Sequence, residues 1–309
     1  MENKKTKKGT SMSKLNFKVD ETKCIHCGLC EKDCSPKIIK LNAQQIPEIS
    51  PSEEDNCMKC QHCLAICPVG AISILGKNPA DSTECNNFPK HEELLNLIQS
   101  RKSFRDYEQE NLDTDRLEKL KSMLKYAPTG RNIHKLHFSI IDDIEVMQKF
   151  RTMTYDKIKK VLASPCGNLI SKKFGRYKKA IENGNDLLFR GAPHLIVVSA
   201  PPEESCADQD GVIALSYLEL YAQSLGVGTV WCGLVQACLK AFPELCEFLE
   251  IPEGHRPIYV MLFGPTKLRY SRTVQPNEYN IVSVKGNKSI DSIPFISKIK
   301  RHFWNNKKI

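Results

Sequence analysis

The cysteines of this chain repeat. Cys24, Cys27, Cys30 and Cys34 follow the spacing C-x2-C-x2-C-x3-C, and Cys57, Cys60, Cys63 and Cys67 follow it again, the second run closing on Pro68. In the first run Ser35 separates Cys34 from Pro36. Three thiolates two residues apart wrap a tight loop around a shared group, while a fourth, at the start of the next helix, points away from it. Such a set suits the irons of an iron–sulfur cube. Zinc sites use cysteine pairs separated by a longer finger, which a doubled run of four fits poorly. Fourteen cysteines in a small secreted protein would suggest disulfides, but 309 residues with this spacing point to metal in a reducing compartment.

The doubled run resembles the bacterial-type ferredoxins that carry two 4Fe-4S clusters. The resemblance implies that the fourth cysteine of each run ligates the other run's cluster. Cys24, Cys27, Cys30 and Cys67 would then hold one cluster, and Cys34, Cys57, Cys60 and Cys63 the second. Residues 69–73, Val-Gly-Ala-Ile-Ser, supply an apolar segment to cover a cluster. His26 and His62 fall inside the loops and read as exposed residues, because each cube already has four thiolates.

Charge is unevenly placed along the chain. Residues 1–19 hold six lysines against Glu2, whereas residues 20–70 hold five lysines against eight acids, within an overall charge of +9. An acidic cysteine module and a basic remainder are expected to dock partly by charge complementarity. Residues 1–14 read as a flexible basic tail, 15–75 as the 4Fe-4S ferredoxin-type domain, 76–90 as a polar linker rich in turn formers, and 91–309 as a second domain. No run of 18 apolar residues occurs, and no apolar leader follows the N-terminal lysines, so a cytoplasmic protein without a membrane span is expected. Basic residues are not interleaved with aromatics, which speaks against nucleic acid binding.

In the second domain, helical periodicity begins at Leu94, Leu95 and Ile98. It resumes at Leu117, Leu120, Met123 and Leu124, with Asp113 or Thr114 as N-cap, and stops at Ala127-Pro128. Strand-like runs cover residues 137–141, 194–199, 228–232 and 258–263, and a helix is expected over 212–225. This mixture predicts an α+β fold with a central sheet flanked by helices. The glycines of residues 224–233 fall as GxGxxxxG on a helix-to-strand turn, the reverse of a dinucleotide fingerprint, so no separate NAD domain is expected.

Four stretches carry polar groups suited to a cofactor. Arg101, Lys102, Ser103 and Arg105 gather three cations and a hydroxyl. Pro128, Thr129, Gly130 and Asn132 form a turn, Trp231, Cys232 and Gly233 close a strand, and Arg272 follows the last strand. In this order the stretches resemble the FMN-dependent nitroreductase family over about residues 91–280. The resemblance implies that Arg101, Lys102, Ser103 and Arg105 hold the FMN phosphate and ribityl chain, and that Arg272 is the late phosphate-binding arginine. It places Pro128, Thr129, Gly130 and Asn132, the backbone near Trp231, Cys232 and Gly233, and Asn185 at the flavin. His134, Lys135 and Leu136 depart from the family's Gln-Pro-Trp, and Tyr270 replaces a lysine of some members.

The resemblance further implies a homodimer with FMN in the interface and places no catalytic side chain of its own, the chemistry belonging to the flavin. Electrons would come from ferredoxin, another reductase, or NADH or NADPH as co-substrate, pass through the clusters to FMN, and leave to a nitroaromatic, quinone or similar electron-poor acceptor. Reductive dehalogenation, reduction of an activated double bond, or service as a non-enzymatic electron carrier or redox sensor are the alternatives. The remaining cysteines, Cys85, Cys166, Cys206, Cys232, Cys238 and Cys246, read mostly as small buried apolar residues, with Cys232 near the flavin. Residues 295–304 read as a basic amphipathic helix that docks on the dimer.

Overall fold

The computed structural model describes residues 14–164, 179, 181, 183–277 and 280–284. The basic tail up to residue 13, Cys166 and the helix expected over 295–304 lie outside them.

The cysteine module is built by near-duplication. Strand β1 (Lys18–Val19), helix α1 (Leu29–Asp33), β2 (Ile39–Leu41), β3 (Pro47–Ile49), helix α2 (His62–Ala65) and β4 (Ile72–Ser73) follow in order. They form two small antiparallel pairs, β1 with β4 and β2 with β3. Left-handed backbone recurs at equivalent positions of the two halves: His26 and Lys59, Gly28 and Gln61, Lys37 and Gly70. Helices this short cannot stand alone. They are held by a miniature core of Leu15, Ile38, Ile39, Leu64, Ile72 and Ile74, into which Cys30 and Cys63 project.

The second domain opens with α3 (His91–Ser100), where Glu93 accepts the Lys90 N–H at 3.1 Å, and α4 (Thr114–Met123), capped by Asp113 accepting from the Arg116 N–H. A 3-10 turn over Leu124–Tyr126 carries the chain to Pro128. Then come β5 (His137–Ile141), α5 (Ile144–Ala163), β6 (His194–Ala200), α6 (Ala207–Ser224), β7 (Gly228–Trp231), α7 (Gly233–Ala241), α8 (Pro243–Phe248) and β8 (Arg256–Gly264). The sheet order is β5-β6-β8-β7, antiparallel at every pairing.

Alternation along β6 explains the layers. Leu195 and Val197 face a cluster with Phe150 of α5, Leu239 of α7 and Leu245 of α8, while Ile196, Val198 and Ala200 face one with Leu120 of α4 and Leu215 and Leu218 of α6. With every residue of β6 buried, the sheet is covered on both sides. This is the α+β arrangement expected.

Two expectations change. Helix α6 starts at Ala207 rather than at 212, because Asp208, Gln209, Asp210 and Gly211 look like a loop in sequence. Gly211 instead lets the helix approach the sheet, where a Cβ would lie 3.0 Å from Ile258. The charge-complementary docking is not built from ion pairs. Lys14–Asp55, Lys23–Asp20 and His62–Asp33 close within the cysteine module, and no ion pair among the described residues joins it to the second domain. Among the described residues no helix is long and apolar enough to cross a membrane.

Candidate functional site

The fold brings a cysteine of the second run to three of the first. Cys24, Cys27, Cys30 and Cys67 line one pocket, otherwise walled by apolar side chains including Ile25, Leu41, Val69 and Ile72. The other set is seen in the fields on the thiols. Burial pushes the Cys63 thiol up to about 12, and its next neighbours in charge are Cys60, Cys57 and Cys34. Burial likewise raises Cys57, beside Cys60 and Cys34, and Cys30, beside Cys27 and Cys67.

Cys67, the fourth cysteine of the second run, thus lies beside the first three of the other run. The local backbone suits an anionic group. Left-handed residues turn N–H groups into the loops. The Lys59 N–H faces Cys57 Sγ at 3.4 Å and the Ala71 N–H faces Cys67 Sγ at 3.2 Å. His26 and His62 are exposed; His62 meets Asp33 at 3.1 Å and His26 the Gln45 carbonyl at 3.4 Å.

In the second domain the first cationic stretch docks on the edge of the sheet. Ser103 bridges Thr229 of β7, and the Phe104 N–H donates to the Thr229 carbonyl at 2.9 Å. Lys102 Nζ donates to the carbonyls of Gln99 and Ser100 and lies 5.7 Å from the centroid of the Tyr270 ring. Arg105 donates to the Ser103 carbonyl. Among the described residues neither cation has a carboxylate partner. Arg101 does: its guanidinium meets the buried Glu219 of α6 at 3.1 Å. Tyr270 stands edge-on to Phe104 at 5.5 Å, which brings the segment leading to the exposed Arg272 against the same loop.

The other predicted residues lie elsewhere. The Gly130 N–H, expected to face a heterocycle, is consumed by the Asp210 carboxylate at 2.9 and 3.0 Å. Pro128 is exposed, and Thr129 Oγ1 accepts the His134 N–H. Asn132 donates to the Met58 carbonyl in the cysteine module at 3.1 Å and pairs with the His134 ring at 2.7 Å. Asn185 is exposed; its neighbour Asp186 organises that turn, accepting from Tyr155 Oη and from the N–H groups of Phe189 and Gly191.

Trp231 packs edge-on to Tyr259 at 5.2 Å, and Gly233 begins α7 beside the Tyr259 hydroxyl. Cys232 is buried, its thiol donating to the Leu188 carbonyl at 3.2 Å, with burial raising its pKa. Of the other cysteines, Cys85 and Cys206 are exposed rather than buried, while Cys238 and Cys246 pack partly buried against the core. Sequence reading missed Asp210, Glu219 and Thr229. Glu219 and Asp210 on a helix carry no local sign of the partners about a hundred residues away.

Comparison with known proteins agrees with this geometry. Residues 98–265 match the model of the nitroreductase family, and residues 23–71 match that of a 4Fe-4S dicluster domain. A protein of Archaeoglobus fulgidus, named as a candidate NADH dehydrogenase/NAD(P)H nitroreductase, is 26% identical over 188 residues, covering 59% of this chain and 87% of that protein. Two crystal structures share the fold. A nitroreductase with bound FMN from Desulfitobacterium hafniense superposes with a TM-score of 0.52 at 24% identity, over 62% of this chain and 98% of that one. A nitroreductase with bound FMN from Bacteroides fragilis gives 0.50 at 22%, over 62% and 99%. The chain therefore belongs to the nitroreductase family of oxidoreductases, with a 4Fe-4S ferredoxin-type domain ahead of the nitroreductase fold.

Proposed function

We propose that this protein takes electrons one at a time into two 4Fe-4S clusters and passes them to an FMN on the second domain, which reduces a nitroaromatic, quinone or similar electron-poor acceptor. The observation that supports the reading is the pocket lined by Cys24, Cys27, Cys30 and Cys67, in a 4Fe-4S dicluster domain joined to a nitroreductase fold. Iron–sulfur centres carry single electrons, whereas a flavin stores two and delivers them together.

The residues fit FMN. Lys102 and Arg105, without a carboxylate partner among the described residues, offer their cations to a phosphate, with Ser103 on the sheet edge and Arg272 nearby in sequence to Tyr270. When bound, FMN supplies the redox chemistry, and the chain's cations and N–H groups orient it and offset the negative charge it gains on reduction. Reduced ferredoxin is the proposed donor, with NADH or NADPH as an alternative entry at the flavin.

A homodimer is part of the proposal. Asp210, which ties the 128–132 turn, and Glu219, which ties Arg101, lie nine residues apart on α6, about 13 Å along its axis. A second copy would complete the cofactor site that the 101–105 and 128–132 stretches are proposed to form. Apolar side chains left exposed on α3 (Leu94, Leu95, Ile98) and α6 (Val212, Ile213, Tyr217) offer the surface for it.

The test is nitro-compound turnover by anaerobically reconstituted full-length protein, before and after cluster removal. Ferredoxin-driven turnover should disappear with the clusters while NADH-driven turnover persists. Equal ferredoxin-driven rates with and without clusters would end the relay.

A further inference from the structure

We propose that Asn132 is a latch between the two modules, making the cluster held by Cys34, Cys57, Cys60 and Cys63 the one that serves the flavin domain. Among the described residues the hydrogen bond that joins the modules is the one from Asn132 Nδ2 to the Met58 carbonyl, at 3.1 Å. Met58 directly follows Cys57 in that cluster's loop. The same peptide unit that accepts from Asn132 through its carbonyl presents its N–H, that of Lys59, to Cys57 Sγ at 3.4 Å. A bond to the carbonyl polarises the N–H on the other side of the peptide, so Asn132 reaches the ligand sulfur through two linked hydrogen bonds.

The loop is braced to hold this pose. Arg131, Asn132 and His134 all have positive φ, between 51° and 56°, a conformation that Asn tolerates and that Arg adopts at a cost its surroundings must offset. The bracing comes from the Asp210 carboxylate on the Gly130 N–H, from Thr129 Oγ1 on the His134 N–H, and from the His134 ring on Asn132 Oδ1. The Asn132 amide is thus held at both ends, by the Met58 carbonyl at its nitrogen and by the His134 ring at its oxygen. His134, one of the departures from the family's Gln-Pro-Trp, completes the latch. In the first cysteine run the position equivalent to Met58 is Ile25, which is exposed.

The inference rests on the relay reading. In it two one-electron donors such as reduced ferredoxin are oxidised, and two electrons cross the latched cluster in turn. With two protons from solvent they convert FMN to its dihydro form.

The test uses full-length holoprotein carrying Asn132→Ala, Asn132→Asp or Asn132→Gln. Loss of the donor in the first two should speed amide exchange at residues 58–60 at least tenfold and leave residues 25–28 unchanged. It should also lower the reduction potential of one cluster while the other stays fixed, because hydrogen bonds to ligand sulfur favour the reduced state. Ferredoxin-driven flavin reduction should slow at least fivefold, and Asn132→Gln should recover part of each effect. Unchanged exchange and potentials, or loss of FMN with residues 58–60 undisturbed, would overturn the latch. Wild-type protein whose clusters never reduce its flavin would instead refute the relay, and the exchange and potential changes would still decide the latch.

Discussion

A methyl group on Gly228 would lie 2.9 Å from Cγ of Phe104 and 3.0 Å from Cγ2 of Thr266. At this point the loop carrying Ser103 is pressed onto β7, so Gly228→Ala should cost about 1–3 kcal/mol and weaken FMN retention. Urea unfolding and flavin content after gel filtration would check both. His194 offers a second residue-scale test. It is buried at the start of β6, its Nε2 accepting the Leu112 N–H at 2.9 Å, and burial pushes its pKa down from 6.5 to about 4. The unfolded chain binds a proton there below pH 6.5 that the folded chain refuses. Its contribution is therefore present above pH 6.5 and lost as pH falls toward 4, on the order of 3 kcal/mol in total. The urea midpoint should drop between pH 7 and 5, and His194→Gln should flatten that dependence. A midpoint equally pH-dependent in the variant would reject the assignment.

The elements show what a sequence can disclose. Strand β5 is found at 137–141 as read from its alternating apolar run, and the cap of α4 is the expected Asp113. Those signals are local: a period, a cap, a turn. The start of α6 was misread because its first turn is polar and contains Gly211, whose purpose lies in Ile258 of another element. The partners of Gly130 and Arg101 were hidden for the same reason, since Asp210 and Glu219 look in sequence like ordinary solvated acids. Helix α3 was legible as a helix, yet its apolar stripe is left uncovered, with Leu94 45%, Leu95 52% and Ile98 49% exposed. A stripe of this kind needs a partner. Leu95→Glu should shift the protein from dimer to monomer in sedimentation analysis and reduce its FMN content, whereas a monomeric wild type would contradict the proposed interface.

At the scale of the whole molecule the 4Fe-4S domain was legible in the sequence, because a ligand loop writes its geometry into residue spacing. How the modules meet was not. The uneven charge along the chain suggested electrostatic docking, but the described ion pairs close within each module and the link seen is the Asn132–Met58 hydrogen bond. Raising salt from about 0.05 to 0.5 M, which shortens the screening length several-fold, should therefore change internal electron transfer less than twofold.

The relay itself is tested most directly by anaerobic stopped-flow mixing of reconstituted full-length protein with reduced ferredoxin, following cluster and flavin absorbance together. The clusters should bleach first, at a rate proportional to ferredoxin. The flavin should follow at a rate independent of it. Flavin that bleaches ahead of the clusters, in direct proportion to ferredoxin, would contradict the account.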